Sequence, residues 1–143
     1  MMDNKTKYGR VAVLMGGVSS EREISMMSGS GVLKALLSRG VDAVSVDPAE
    51  GLDRLVREPF DRAYIALHGR FGEDGTIQGV LEYLQIPYTG AGVQASAVAI
   101  DKVATRALWE KAGIPVARGM TVFSVSQAQQ VLETLGGDVV VKP

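Results

Sequence analysis

Residues 10–25, RVAVLMGGVSSEREIS, carry the clearest signal for the fold. Arg10 to Met15 form a strand-length apolar run that ends at Gly16-Gly17. Beyond the glycines the sequence favours a helix from about Glu21 to Arg39, and Gly40 is a typical C-terminal cap for it. The stretch predicts a buried strand, a glycine turn and a helix, in that order.

The same alternation continues along the chain. Val41 to Val46 and Ala63 to Leu67 predict a second and a third strand. The helix after them has apolar residues at helical spacing, namely Ile77, Val80, Leu81 and Leu84. Such alternation implies an α/β fold with a Rossmann-like, mostly parallel sheet, helices on both of its faces and right-handed crossovers.

The first helix carries two local signals. A line of small or apolar residues at spacings of three and four predicts the face that packs on the sheet: Ile24, Ser28, Gly31 and Ala35. Ser20 and Glu23 have the spacing of an N-terminal capping box.

The alternation pauses near residues 95–102, where we expect a domain boundary. The elements expected beyond it are a helix over Asp101 to Ala112, a strand over Val116 to Phe123, a helix begun by a capping box at Ser126 and Gln129, and a strand from Val139 to Val141. Because that strand has barely begun at Lys142-Pro143, we expect the chain to be the front part of a longer protein.

Composition excludes several classes of function. The 143 residues carry 15 basic and 16 acidic side chains and no cysteine, which rules out disulfides and thiolate metal sites. A net charge of −1 disfavours binding to nucleic acid or to an anionic membrane surface. The apolar runs are far shorter than the ~20 residues of a membrane span, and the N-terminus lacks the pattern of a signal peptide. We therefore expect a cytoplasmic protein.

The glycine turn is a candidate ligand site because ligands of open α/β sheets gather at the carboxyl ends of the strands. It does not fit the dinucleotide pattern G-x-G-x-x-G, because Val18 and Glu21 stand where the second and third glycines belong. A carboxylate at this place suits an ammonium group better than a phosphate. The alternative is that Glu21 only favours the helix dipole, and both interpretations remain open.

His68, the single histidine, is expected at the carboxyl end of the third strand. With Arg70 beside it, this position suits a carboxylate substrate, while one histidine without cysteine cannot make a zinc site. Glu73 and Asp74 are interpreted as caps of the helix that starts near Thr76.

Two lysines of the trailing segment are further candidates. Lys102 lies near a helix start, where a lysine is normally solvated. Lys142 follows three valines in an expected interior strand, where its charge would need an anionic partner.

Taken together, several segments resemble the D-alanine–D-alanine ligases of the ATP-grasp superfamily. They are residues 16–25 (GGVSSEREIS), 66–69 (ALHG), 72–76 (GEDGT), 87–90 (PYTG), 101–102 (DK) and 141–143 (VKP). The resemblance implies an N-terminal substrate-binding α/β domain over residues 1–100, of the pre-ATP-grasp type. It also implies that residues 101–143 begin the ATP-grasp nucleotide-binding domain, at its small lobe.

The resemblance further implies the activity. Such enzymes use ATP and magnesium to join two D-alanines through an acyl phosphate, for peptidoglycan, and commonly form homodimers. It implies that Glu21 holds the ammonium of the first D-alanine and orients its helix, that His68 lies beside that substrate's carboxylate, and that Lys102 and Lys142 contact ATP phosphates. The magnesium ligands are expected outside this sequence, so the chain alone should be inactive. Phe71 departs from the pattern, since many relatives have a small residue there.

Two rival interpretations remain at this point. One is a stand-alone dinucleotide-binding module, which Asp47 at the end of the second strand would support by binding a ribose hydroxyl. The other is an ATP-grasp ligase with a different amine substrate.

Overall fold

A computed structural model describes residues 7–142 of the chain. The chain folds into two compact units, one that ends at Ile100 and one that begins at Asp101. No helix among the described residues has the length and apolarity needed to cross a membrane.

The first unit is built on a three-stranded parallel sheet. Its strands are β1 (Arg10–Leu14), β2 (Asp42–Val46) and β3 (Arg62–Ile65), in the order β2-β1-β3. Val13 of β1 lies opposite Ser45 on one side and Tyr64 on the other. The parallel sheet and the positions of its three strands are confirmed.

Four helices connect and follow these strands. They are α1 (Arg22–Ser38), α2 (Asp53–Arg57), α3 (Thr76–Tyr83) and α4 (Val93–Ile100), with a 3₁₀ turn over Pro48–Glu50 before α2. Gly40, at φ +72°, lies just beyond α1, as its C-terminal cap signal predicts. Helix α4 was not predicted, because its small residues carry little helical periodicity.

Helices cover both faces of the sheet. Alternate residues of β1 point to opposite faces. Val11 and Val13 pack with Val32, Leu33 and Leu36 of α1. On the other face, Ala12 and Leu14 share a cluster with residues of α2 and α3, among them Leu55, Ile77 and Leu81. The predicted arrangement of helices on both faces is therefore confirmed.

The predicted packing face of α1 is wrong. Ile24 is 51% exposed, and a Cβ placed on Gly31 would meet no atom within 4 Å. The buried positions are Ser25 and Gly29. A Cβ on Gly29 would overlap the side chain of Met15, so the closest approach of the helix to β1 falls there and sets its rotation.

The second unit is helical where it is regular. It contains α5 (Lys102–Lys111), capped by Asp101, and α6 (Val125–Leu135). The strands predicted over residues 116–123 and 139–141 are wrong, because neither segment is in a strand. Valine-rich sequence favours extended backbone, but a strand also needs a neighbour for its N–H and C=O groups, and no described residue supplies one.

The N-cap of helix α6 is Ser124, two residues before the predicted cap at Ser126. The Ser124 hydroxyl accepts from the N–H of Gln127 at 3.2 Å, and Gln127 Oε1 accepts from the N–H of Phe123 at 2.7 Å. The box predicted at Ser126 and Gln129 is therefore wrong. Both serines stand three residues before a glutamine, so local spacing alone did not distinguish them.

Candidate functional site

The carboxyl ends of the strands enclose a cavity of about 250 Å³ within the first unit. The strand order changes direction beside β1, which is where open α/β sheets form their ligand crevice. Apolar side chains and glycines make up most of the walls, and His68 and Arg70 contribute an imidazole and a guanidinium. The lining residues come from the turn after β1, the segment after β2, the loop after β3 and helix α3: Gly16, Gly17, Val18, Pro48, Leu52, Leu67, His68, Arg70, Phe71, Gly72, Thr76, Ile77 and Val80.

Side chains accept hydrogen bonds from both N–H groups of the glycine turn. Gly16 and Gly17 have φ of +88° and +77°, a backbone conformation that favours glycine. The Gly16 N–H donates to the Ser25 hydroxyl at 2.9 Å, and the Gly17 N–H donates to Asp47 Oδ1 at 2.9 Å. A phosphate would need these N–H groups, so the turn does not fit a phosphate cradle.

Ser25 connects two strand ends through α1. Its side chain is completely buried, accepts from Gly16 at the end of β1 and donates to the carbonyl of Ala66 after β3 at 2.7 Å. The serine thereby fixes the glycine turn relative to the loop that carries His68.

Glu21 is the N-cap residue of α1, and its side chain caps no backbone N–H. Its own N–H donates to the Ser19 hydroxyl at 3.0 Å. The predicted capping box of Ser20 and Glu23 is therefore wrong: Glu21 is the N-cap residue, and the hydroxyl that accepts a backbone N–H there is that of Ser19. The exposed Glu21 carboxylate lies beside the loop after β3, since a Cβ on Gly69 would be 2.6 Å from Glu21 Oε2.

His68 lies between a hydroxyl and a carboxylate. Its Nε2 is 3.3 Å from the Ser28 hydroxyl, and its Nδ1 is 3.6 Å from Glu73 Oε1. Glu73 Oε2 also accepts from the N–H of Gly69 at 2.9 Å. The interpretation of Glu73 as a helix cap is therefore wrong, because this side chain holds the His68 loop instead.

Asp74 does act as a cap. Its Oδ1 accepts from the N–H of Thr76 at 3.0 Å, and its Oδ2 accepts from the N–H of Phe71 at 2.9 Å. Burial alone would raise the pKa of Asp74, but these hydrogen bonds outweigh it and lower the pKa below its ordinary value. The carboxylate stays charged and closes the loop onto the start of α3.

Phe71 has φ +65°, in the left-handed region that favours glycine. Its ring is 41% exposed, and the Arg70 guanidinium lies 4.8 Å from the ring centroid. The departure at Phe71 therefore falls at a backbone position where glycine is the unstrained choice.

Asp47 is engaged by three partners. Arg22 Nη2 lies 2.5 Å from Asp47 Oδ2, while the N–H groups of Gly17 and Ala49 each donate to Oδ1 at 2.9 Å. Burial would raise the pKa of Asp47, but the hydrogen bonds from Arg22, Gly17 and Ala49 outweigh it and hold the pKa low. These contacts leave the proposed ribose contact, and with it the dinucleotide interpretation, without support.

The two candidate lysines belong to the second unit. Lys102 is the first residue of α5, and Lys142 is exposed in an irregular segment. Because Lys142 lies in no strand interior, its charge does not require a buried anionic partner. Contact of these lysines with ATP phosphates stays a prediction. Residues 7–142 contain no cluster of His, Cys, Asp or Glu that could hold a metal ion.

The structure thus places the loops of Glu21 and His68 side by side, as expected from their positions after β1 and β3. Sequence reasoning missed Ser25 and the roles of Arg22 and Asp47. A signal for Ser25 was available, because Ser25, Gly29, Val32 and Leu36 also follow helical spacing. Nothing in the sequence pairs Arg22 with Asp47, since they are 25 positions apart, with the rest of α1 and strand β2 between them.

Comparisons with known proteins agree on one family. The family described as "D-ala D-ala ligase N-terminus" matches residues 48–91. The D-alanine–D-alanine ligase of Delftia acidovorans is 57% identical over 136 residues, which are 94% of this chain and 42% of that protein. The ligase of Albidiferax ferrireducens is 55% identical and is matched by 96% of this chain over 40% of its own length.

Solved structures give the same result. The D-alanine–D-alanine ligase of Bacillus anthracis superposes with a TM-score of 0.72 at 32% identity, over 85% of this chain and 42% of that one. The ligase of Aeromonas hydrophila superposes with a TM-score of 0.71 at 28% identity, over 88% of this chain and 57% of that one. The chain spans about two fifths of the length of these curated relatives.

Proposed function

Because the chain corresponds in sequence and fold to the N-terminal portion of the D-alanine–D-alanine ligases, we propose that the whole protein joins two D-alanines at the expense of ATP. In this reaction the carboxylate of the first D-alanine takes the terminal phosphoryl group of ATP. The amine of the second then displaces phosphate, leaving the dipeptide, ADP and phosphate. The dipeptide would serve peptidoglycan synthesis, and we place the activity in the cytoplasm, in a homodimer.

The observation that carries the proposal is the pairing of Glu21 with the His68 loop. Glu21 presents an exposed carboxylate that no backbone group of the helix occupies, next to Gly69. The His68 imidazole and the Arg70 guanidinium line the cavity at the same edge of the sheet. A carboxylate on one side, and a guanidinium with an imidazole on the other, match the ammonium and carboxylate of one amino acid. In this proposal Glu21 binds the ammonium of the first D-alanine, and His68 lies beside its carboxylate.

ATP is proposed to bind through the second unit. The glycine turn of the first unit does not fit its phosphates, because its N–H groups are already paired. Lys102 and Lys142 are cations suited to phosphate oxygens, and we propose them as ATP contacts. Magnesium would neutralise phosphate charge in this reaction, and its ligands would come from outside the described residues.

The first test is to replace Glu21 by Gln in the intact protein. Loss of the negative charge should raise the KM for the first D-alanine by about tenfold or more, while the KM for ATP stays within about twofold. Phosphate release at varied D-alanine and ATP measures both constants. The matched control is Glu23→Gln, an exposed acidic residue in the first turn of the same helix, which should behave as wild type. An equal rise of both constants would show that Glu21 is structural.

A ligase with another amine substrate is the remaining alternative. Measuring phosphate release by the intact protein with D-alanine, L-alanine and D-lactate distinguishes this alternative from the proposed function. For the proposed function, only D-alanine should give a high rate of release. The dinucleotide interpretation is tested by titrating NADH and following its fluorescence, and saturable micromolar binding would overturn the proposed function.

A further inference from the structure

Two charged side chains hold the peptide groups of Gly17 from both sides. Arg22 Nη1 donates to the Gly17 carbonyl at 2.8 Å, and Asp47 Oδ1 accepts from the Gly17 N–H at 2.9 Å. The same arginine and carboxylate are joined to each other at 2.5 Å. Arg22 and Asp47 therefore form a closed ring of hydrogen bonds with the turn, which we call the turn clamp.

The turn clamp is anchored on two different elements. Arg22 is the first residue of α1, and Asp47 is the N-cap of the 3₁₀ turn after β2, where the Ala49 N–H also donates to it. The Asp47 side chain is only 12% exposed, so its position is fixed by packing as well as by hydrogen bonds. Because Arg22 belongs to α1 and Asp47 follows β2, the clamp holds the glycine turn in a fixed position relative to both elements.

The clamp also determines what the turn can bind. A Cβ on Gly16 would lie 2.5 Å from Asp47 Oδ2, so the glycine backbone is wrapped around the Asp47 carboxylate. Asp47 thus takes the position that a bound anion would take at a glycine turn. Glu21, the residue that precedes Arg22 in the chain, by contrast keeps an exposed carboxylate.

We propose that Arg22 and Asp47 are positioning residues for Glu21, an inference that rests on the proposed function. By holding Gly17 they fix the path of the chain from the turn into α1, and so keep the Glu21 carboxylate beside Gly69. They act through the turn and do not contact the substrate. Without the clamp, the carboxylate would keep its charge but lose its fixed position toward the first amino acid.

A second arginine provides a matched control. Arg54 Nε donates to Glu58 Oε1 at 2.6 Å, and its Nη1 donates to the carbonyl of Ser45 at 2.7 Å. Like Arg22, it joins a carboxylate and a backbone carbonyl, and the two arginine side chains are similarly exposed, at 45% and 44%. Arg54 does not contact the glycine turn, so its loss reports on stability alone.

The experiment compares Arg22→Lys, Asp47→Asn and Arg54→Lys in the intact protein. Lysine cannot reproduce the two-pronged contact of arginine, and asparagine keeps the shape of Asp47 without its charge. Arg22→Lys and Asp47→Asn should each raise the KM for the first D-alanine by about tenfold, with the KM for ATP within about twofold. Arg54→Lys should change neither constant. Similar effects of all three variants, an equal rise in the KM for ATP, or no effect of the clamp variants would each overturn the proposal.

A second measurement separates this inference from the proposed function. Hydrogen exchange followed by mass spectrometry on the intact protein reports the protection of the peptide that contains Gly17. In Asp47→Ala this peptide should exchange about tenfold faster, and in Arg54→Ala it should exchange as in wild type. Unchanged exchange in Asp47→Ala would overturn the clamp. Absence of dipeptide formation by the wild-type protein would instead overturn the proposed function while leaving the exchange result to stand.

Discussion

At the scale of single residues, the site is defined by which polar groups are already paired. A glycine turn before a helix ordinarily offers N–H groups to an anion. Here the side chains of Ser25 and Asp47 accept hydrogen bonds from those N–H groups, while no backbone N–H of the helix donates to the Glu21 side chain. The pairing leaves a negative charge at the opening of the turn, which favours the proposed ammonium over a phosphate at this place.

Ser25→Ala tests the buried hydroxyl at this scale. The variant leaves the Gly16 N–H and the Ala66 carbonyl without their partner in a fully buried place, which should cost about 1–3 kcal/mol of unfolding free energy. Urea denaturation followed by circular dichroism measures the change. The control is Ser38→Ala, whose exposed hydroxyl only donates to the carbonyl of Ala35, and which should stay within about 0.5 kcal/mol of wild type. Equal stability of the two variants would contradict the role given to Ser25.

At the scale of elements, two helix ends follow their local chemistry closely. Asp101 caps α5 by accepting from the N–H groups of Val103 and Ala104, as its position before the helix suggests. Helix α3 ends in a Schellman motif, in which Ile86 donates to Leu81 and Gln85 donates to Glu82. This motif needs a left-handed residue, and Gln85 provides it at φ +57°.

Gln85→Gly should therefore stabilise the protein. Glycine adopts the left-handed conformation without the cost of about 1–2 kcal/mol that a side chain brings, although it also adds entropy to the unfolded chain. We expect a net gain of about 0.5–1 kcal/mol, measured as an upward shift of the thermal midpoint. Gln85 is exposed, so its side chain contributes little packing. In the control, Gln85→Ala, the Cβ remains and no gain is expected; stabilisation by alanine as well would refute the backbone explanation.

At the scale of the whole molecule, burial is distributed unevenly. Every buried residue among residues 7–142 precedes residue 101, and both apolar clusters belong to the first unit. Helices α5 and α6 of the second unit contain no buried residue. Burial of apolar surface is the main favourable contribution to folding, so the two units differ in what they can do alone.

A chain of residues 1–100 should accordingly unfold in one cooperative thermal transition, while a chain of residues 101–143 should show none. The reason is that the first contains the sheet and its two clusters, and the second has no core to offset its conformational entropy. Circular dichroism between 10 and about 90 °C distinguishes the cases, with the 143-residue chain measured alongside. A cooperative transition of residues 101–143 on their own would contradict this account.

The local features could be predicted from the amino-acid sequence alone. Periodicity, glycines and caps located β1 to β3, α1, α3 and α5, and they placed Glu21 and His68 after strands whose carboxyl ends meet at one edge. These features depend on neighbours within a few residues along the chain, which is why they could be predicted. The motifs also predicted the resemblance to the D-alanine–D-alanine ligases, and the comparisons confirm that resemblance.

Three features depend on long-range contacts: which face of α1 is buried, which groups the glycine turn pairs with, and whether residues 116–123 and 139–141 form strands. Each of these depends on a partner supplied from elsewhere: Met15 against Gly29, Asp47 against Gly17, and a neighbouring strand for the valines. A hydrogen bond or a close contact between distant residues forms only when the fold brings both partners together. The spacing of residues within one segment carries no information about the other partner.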